Sequence, residues 1–125
     1  MEHLKNRDGC ILQTANPGDI VHPTFKQSEL GIIISRDDFV FAYNNLGCAL
    51  WAIGKYSDAI RKFQEATDRS PSYADAYFNS GVAYFFLGRY DEAYNKFQLT
   101  LDVKPEFQEA RNYLEQIKVI LKYNP

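Results

Sequence analysis

The sequence predicts an all-α fold, a stack of helix–turn–helix units, on three observations. Residues 45–59 read NLGCALWAIGKYSDA and residues 79–93 read NSGVAYFFLGRYDEA. Asn45, Gly47, Ala49, Gly54, Tyr56 and Ala59 thus recur as Asn79, Gly81, Ala83, Gly88, Tyr90 and Ala93, each pair 34 positions apart. Phe63 and Phe97, then Pro71 and Pro105, carry the same register onward. A last stripe, Ala110, Leu114, Ile117 and Leu121, has helical spacing. A period of this length with small residues, a turn glycine and a closing proline marks two helices per unit, each unit burying its apolar face on the next.

The elements follow in chain order. Residues 1–37 fall outside the repeat and are expected to form an irregular arm, mobile over residues 1 to about 22. Asn16-Pro17-Gly18 is a turn signal. FKQSELGIIIS after it reads either as a short helix or, through three consecutive β-branched isoleucines, as an extended segment. Ile32–Ile34 should pack on something, because bare apolar surface is costly. Helices are expected over 38–53, 56–69, 73–87, 90–103 and 107–122. Asp37-Asp38 reads as an N-cap for the first. Gly54 and Gly88 stand where a helix end calls for a left-handed residue. Ser70 and Lys104 precede prolines, which should stop the second helix of each unit. Gly47, Ala49, Gly81 and Ala83 are small enough to let helices approach closely. Asp91 and Glu92 suit the positive end of one helix; Glu106, Glu109, Lys118 and Lys122 suit the two ends of the last.

The pattern Tyr43, Leu46, Gly47, Leu50, Ala59, Phe63, Ala66, Pro71, then Tyr77, Ser80, Gly81, Tyr84, Ala93, Phe97, Thr100, Pro105 resembles the tetratricopeptide repeat family. Leu50, Ser80 and Thr100 depart from its hallmark tyrosine, leucine and alanine. The resemblance spans a repeat at 40–73, a second at 74–107 and a capping helix at 107–123, within a domain of residues 38–125. It implies a right-handed α-solenoid whose concave groove holds an extended peptide or a partner helix. The cap keeps Tyr113, Val119, Ile120 and Tyr123 on its other faces, more apolar than a solubilising end requires.

Composition narrows the function. At 46% hydrophobic and 24% charged the chain is a folded one, and its net charge of −2 gives no general attraction to nucleic acid or anionic lipid. MEHLKNRDGC has no apolar core of a secretory signal, and no window approaches the roughly 18–20 apolar residues of a membrane span. Cys10 and Cys48 show no paired or zinc-ligand spacing and are expected to be free thiols in a reducing compartment. The expected location is therefore the cytoplasm, with the nucleus as the other choice. His3 and His22 both lie in the arm, no nucleophile–base grouping is evident, and no enzyme activity, cofactor or metal is expected.

The helix over 73–87 decides what remains. Tyr77, Gly81, Tyr84 and Gly88 share one side, suited to the second helix of the same unit. Phe78, Val82, Phe85 and Phe86 share another, and a helix apolar on two sides must be covered on two sides. The matching face of the first repeat carries Phe41, Asn44, Asn45, Cys48, Trp51 and Ala52. The expected binding residues are Phe41, Asn45, Trp51, Phe78, Asn79, Val82, Phe85 and Phe86, with aromatic anchoring and asparagines bonded to peptide backbone. The favoured occupant is another polypeptide, and the module reads as an adaptor or scaffold. The alternatives are the chain's own arm or a second copy in a homodimer, and plain packing between repeats. A charge clamp for acidic C-termini, as the family builds it, is not expected: of Asn44, Cys48, Asn79, Glu109 and Tyr113 at those positions only Asn79 matches. RNA binding is disfavoured for want of a basic groove.

Overall fold

A computed structural model describes residues 3–5, 10–13 and 36–123. Five helices follow one another: α1 Arg36–Ala52, α2 Tyr56–Arg69, α3 Ala74–Phe86, α4 Tyr90–Val103 and α5 Gln108–Tyr123. Helices α1 and α2 pack as one pair, α3 and α4 as the next, and α5 closes the stack against α4. Asp37 and Asp38 lie inside the first turn of α1, which starts at Arg36, and so do not stand at its cap.

Both units are built by the same local devices. Gly54 and Gly88 take φ of 82° and 77°, the left-handed region that glycine enters without a Cβ penalty. Gly54 N–H donates to Trp51 O and Lys55 N–H to Leu50 O, each at 2.9 Å, while Gly88 N–H donates to Phe85 O at 3.0 Å and Arg89 N–H to Tyr84 O at 2.9 Å. This is a Schellman end, repeated in register, and it turns the chain straight into the next helix. The second helices stop as their prolines require: Ser70 N–H reaches Ala66 O and Lys104 N–H reaches Thr100 O, each just before the proline.

Close approach holds each pair together. A Cβ at Gly47 would sit 2.5 Å from Phe63 Cε1, and one at Gly81 2.7 Å from Phe97 Cε1. The rings therefore lie directly on the backbone of the facing helix, and Phe63 and Phe97 are fully buried. Ala59, Ala66, Ala93, Ala110 and Ile117 complete the interior with no exposed surface. Each buried ring contributes roughly 1.5–3 kcal/mol relative to exposure.

Within the stretch expected as an irregular arm, His3–Lys5 (β1) and Ile11–Gln13 (β2) pair as antiparallel strands, Lys5 opposite Ile11 and His3 opposite Gln13. Strand β2 lies against α1 and α3. Asn16-Pro17-Gly18, His22 and Ile32–Ile34 lie outside the described residues. No helix among the described residues is long and apolar enough to cross a membrane.

Candidate peptide groove

Strand β2 lies across α1 and α3, and the contact centres on two buried asparagines. Asn44 on α1 has no exposed surface and Asn79 on α3 is 1% exposed. Buried amides need all their hydrogen bonds, and these find them on one residue of β2. Ile11 N–H donates to Asn79 Oδ1 at 3.0 Å. Asn79 Nδ2 donates to Ile11 O at 2.9 Å and to Asn44 Oδ1 at 2.9 Å. Asn44 Nδ2 donates to Ile11 O at 3.0 Å. Both lone-pair directions of that carbonyl are thereby used, and the network fixes the orientation of both amides.

The arrangement copies a β-ladder. Successive residues of a strand present their main-chain groups to opposite edges. With β1 on one edge of β2, Ile11 turns its N–H and C=O to the other, where the Asn79 amide takes the place of a third strand. The Ile11 side chain is 5% exposed and joins the main core with Cys48, Trp51, Phe78 and Val82.

A covalent bond adjoins this contact: Cys10 and Cys48 form a disulfide with Cα atoms 5.6 Å apart. The expectation of two free thiols is corrected here. The sequence offers no pairing signal across 38 positions, and folding of the arm onto α1 brings the two cysteines together. Cys48 Sγ lies 3.4 Å from Ile11 O and 3.7 Å from Asn79 Nδ2. Without a proton the disulfide sulfur cannot donate, so the first of these is a contact and the second a weak acceptor.

The expected site residues divide among three places. Asn79, Val82 and Phe78 are all buried on α3, and Phe78 is stacked on Phe107 with ring centres 4.8 Å apart. Trp51, Phe85 and Phe86 form one aromatic group at the α1–α3 end: Trp51 meets Phe86 at 5.1 Å and Tyr56 at 4.7 Å, and Phe85 meets Phe86 at 5.9 Å and Tyr113 at 5.2 Å. Phe86 remains 56% exposed, and Trp51 Nε1 is buried with no hydrogen-bond partner among the described residues. Phe41 packs edge-on against Tyr73 at 5.6 Å, in a separate small cluster with Val40, Ala66 and Ala76.

Asn45 is half-buried, one position round α1 from Asn44. The repeat register pairs Asn45 with Asn79, but the amides that meet are Asn44 and Asn79. Neighbouring helices of a stack touch through opposite flanks, so a contact does not join equivalent positions. Sequence reasoning missed Ile11 altogether, took Cys10 only for a free thiol, and noted Asn44 and Cys48 on this face without choosing them.

Burial raises the Tyr113 phenol above its ordinary range beside this aromatic group. No cluster of three or more histidines, cysteines, aspartates or glutamates suited to a metal occurs among the described residues.

Residues 44–105 match the tetratricopeptide repeat family model. No curated protein matches the chain. Helix pairs closed on Gly47 and Gly81, turned at left-handed Gly54 and Gly88 and repeated in register agree with that match, and the chain belongs to the tetratricopeptide repeat family.

Proposed function

We propose that the concave face binds an extended polypeptide through its main chain, with the pair Asn44 and Asn79 as receptor and Trp51, Phe85 and Phe86 as the apolar rim. Members of the family are in general protein–protein interaction modules and typically lack catalytic activity. The observation that carries the narrower reading is the clamp on Ile11, where one side-chain amide pairs both the N–H and the C=O of a single residue. Removing that residue would hand three hydrogen-bonding positions on the two amides to water and bare the apolar core that Ile11 covers. Any extended segment other than one with proline at this point can meet the same bonds and cover that surface.

A second reading is a module closed by its own arm, and the Cys10–Cys48 bond favours it. The test of the first uses the full chain carrying Cys10→Ser with Ile11→Pro, which can neither form the disulfide nor donate to Asn79. A labelled peptide copying residues 8–14 with Cys10→Ser should bind this protein, and Asn79→Ala in the same background should abolish binding. No binding to the double variant would sink the reading.

A further inference from the structure

Residues 10 and 11 are held in the groove by hydrogen bonds and by a covalent bond, and only the second can be switched by chemistry. Cys10 directly precedes the clamped Ile11, and Cys48 lies on α1 one turn from Asn44. The disulfide therefore ties down the residue beside the one that the asparagines hold. We infer that the Cys10–Cys48 bond is a redox latch on the groove. Oxidised, it keeps residues 10–13 in place as a self-ligand and shuts out other peptides. Reduced, it lets an extended segment of another polypeptide exchange for Ile11. The inference rests on the reading of the groove as a main-chain receptor.

Three observations carry it. First, a latched segment cannot diffuse away, so a peptide in trans has nothing to bind until the bond opens. After reduction the segment is tethered through the chain alone, at an effective concentration on the order of millimolar, which a good ligand can exceed in affinity. Second, reduction leaves the receptor intact. Cys48 regains a proton, and the open groove offers an incoming carbonyl the same two amides. Third, the bond is enclosed: Cys10 is 3% exposed and Cys48 not at all. A reductant reaches it only when the segment lifts off the asparagines, which couples the rate of reduction to the clamp.

The chemistry is balanced by a dithiol. One thiolate attacks a sulfur of the bond, and the other cysteine leaves as a thiolate and takes a proton. The second thiol of the reagent then displaces the first cysteine, closing the reagent's own disulfide. Two electrons pass from the dithiol to the protein, which ends with two thiols.

The experiment uses the full chain, air-oxidised or treated with dithiothreitol, and the labelled peptide copying residues 8–14 with Cys10→Ser, followed by fluorescence anisotropy. The reduced protein should bind about 100-fold more tightly than the oxidised one. Cys10→Ser should bind alike in both conditions. On the oxidised protein, Asn79→Ala should speed reduction about tenfold or more, read by alkylation and mass, as loss of both Asn79 hydrogen bonds to Ile11 allows. Equal binding by the two redox states of the wild type overturns the latch. So does failure of the reduced wild type to bind while the Cys10→Ser, Ile11→Pro chain binds, or an unchanged reduction rate in Asn79→Ala. If the double variant also fails to bind, the receptor reading falls and takes the latch with it.

Discussion

Asn79 grips Ile11 from both sides of its main chain, accepting from the N–H at 3.0 Å and donating to the carbonyl at 2.9 Å, across 68 positions of sequence. The amide carries its donor and its acceptor on separate atoms side by side, so one side chain pairs with both main-chain groups of a single residue. Asn79→Ala should therefore release the Ile11 main chain, with the disulfide still tying Cys10 to α1, and cost about 2–3 kcal/mol, the sum of two modest hydrogen bonds and an unmet buried partner on Asn44. Hydrogen exchange reads this directly: the Ile11 amide should lose its protection while the Phe63 and Phe97 amides keep theirs. Asn79→Asp should be at least as damaging at neutral pH, because a carboxylate facing Ile11 O and Asn44 Oδ1 has no proton to donate. Acidification that protonates it should recover part of the loss.

The two kinds of glycine in each repeat should respond differently to the same change. Gly81→Ala places a Cβ 2.7 Å from a ring carbon of the fully buried Phe97, which has no room to move. An overpacking cost of about 1–3 kcal/mol is expected. Gly88→Ala meets nothing within 4 Å but must adopt φ near 77°, a backbone cost of about 1–2 kcal/mol. Denaturant midpoints of the two variants, with Gly88→Asn as a residue that tolerates the left-handed region, separate the causes. Asparagine should recover much of the loss at Gly88, and no side chain should do so at Gly81.

The contrast explains what the sequence made legible. Gly54, Gly88, Phe63 and Phe97 act through local geometry that repeats, so their roles show as a period, and the helix limits match the expected ones within two residues. The groove contact is neither local nor repeated. Strands of three residues carry too little alternation to read, and nothing in CIL announces that Ile11 will lie across two helices. The adjacent Phe85 and Phe86 looked alike in sequence. In the fold, Phe85 is half-buried against Tyr90 and Tyr113, while Phe86 stays largely exposed against Trp51. Which neighbour covers a ring depends on the flank each helix turns to the next, and a register of equivalent positions does not encode that.

Opening the disulfide should lower stability by a calculable amount. Closing a loop across 38 positions removes chain entropy from the unfolded state worth about 4 kcal/mol in the loop-closure account. Cys10→Ser, or reduction of the wild type, should therefore lower the thermal midpoint by on the order of 10 °C. The same scan with and without dithiol on Cys10→Ser should show no difference. An unchanged midpoint on reducing the wild type would mean that the hairpin and array unfold separately, so that the bond constrains nothing the scan sees.

Tyr73 should set part of the response to alkali. Its ring lies edge-on to Phe41, its hydroxyl is buried with no partner among the described residues, and burial, then the charge of Asp75, raise the phenol above its ordinary pKa of 10.0. The folded protein holds the proton where the unfolded chain gives it up. This contribution to stability is therefore intact below pH 10 and falls as pH rises beyond it, at about 1.4 kcal/mol per pH unit for one such group. Burial raises Tyr77 and Tyr113 in the same direction. Lys96 acts oppositely: desolvation lowers it from 10.5 despite the attraction of Asp68, so the folded state sheds its proton first and recovers a little stability as pH climbs towards 10.5. Tyr73→Phe should leave stability at pH 7 equal or up to about 1 kcal/mol higher, since an unmet buried hydroxyl is removed. It should also flatten the decline between pH 10 and 11.5. Urea midpoints measured across that range in the Cys10→Ser background, free of alkaline disulfide exchange, give the answer. Parallel curves for the two proteins would show that the Tyr73 hydroxyl reaches water in the folded state.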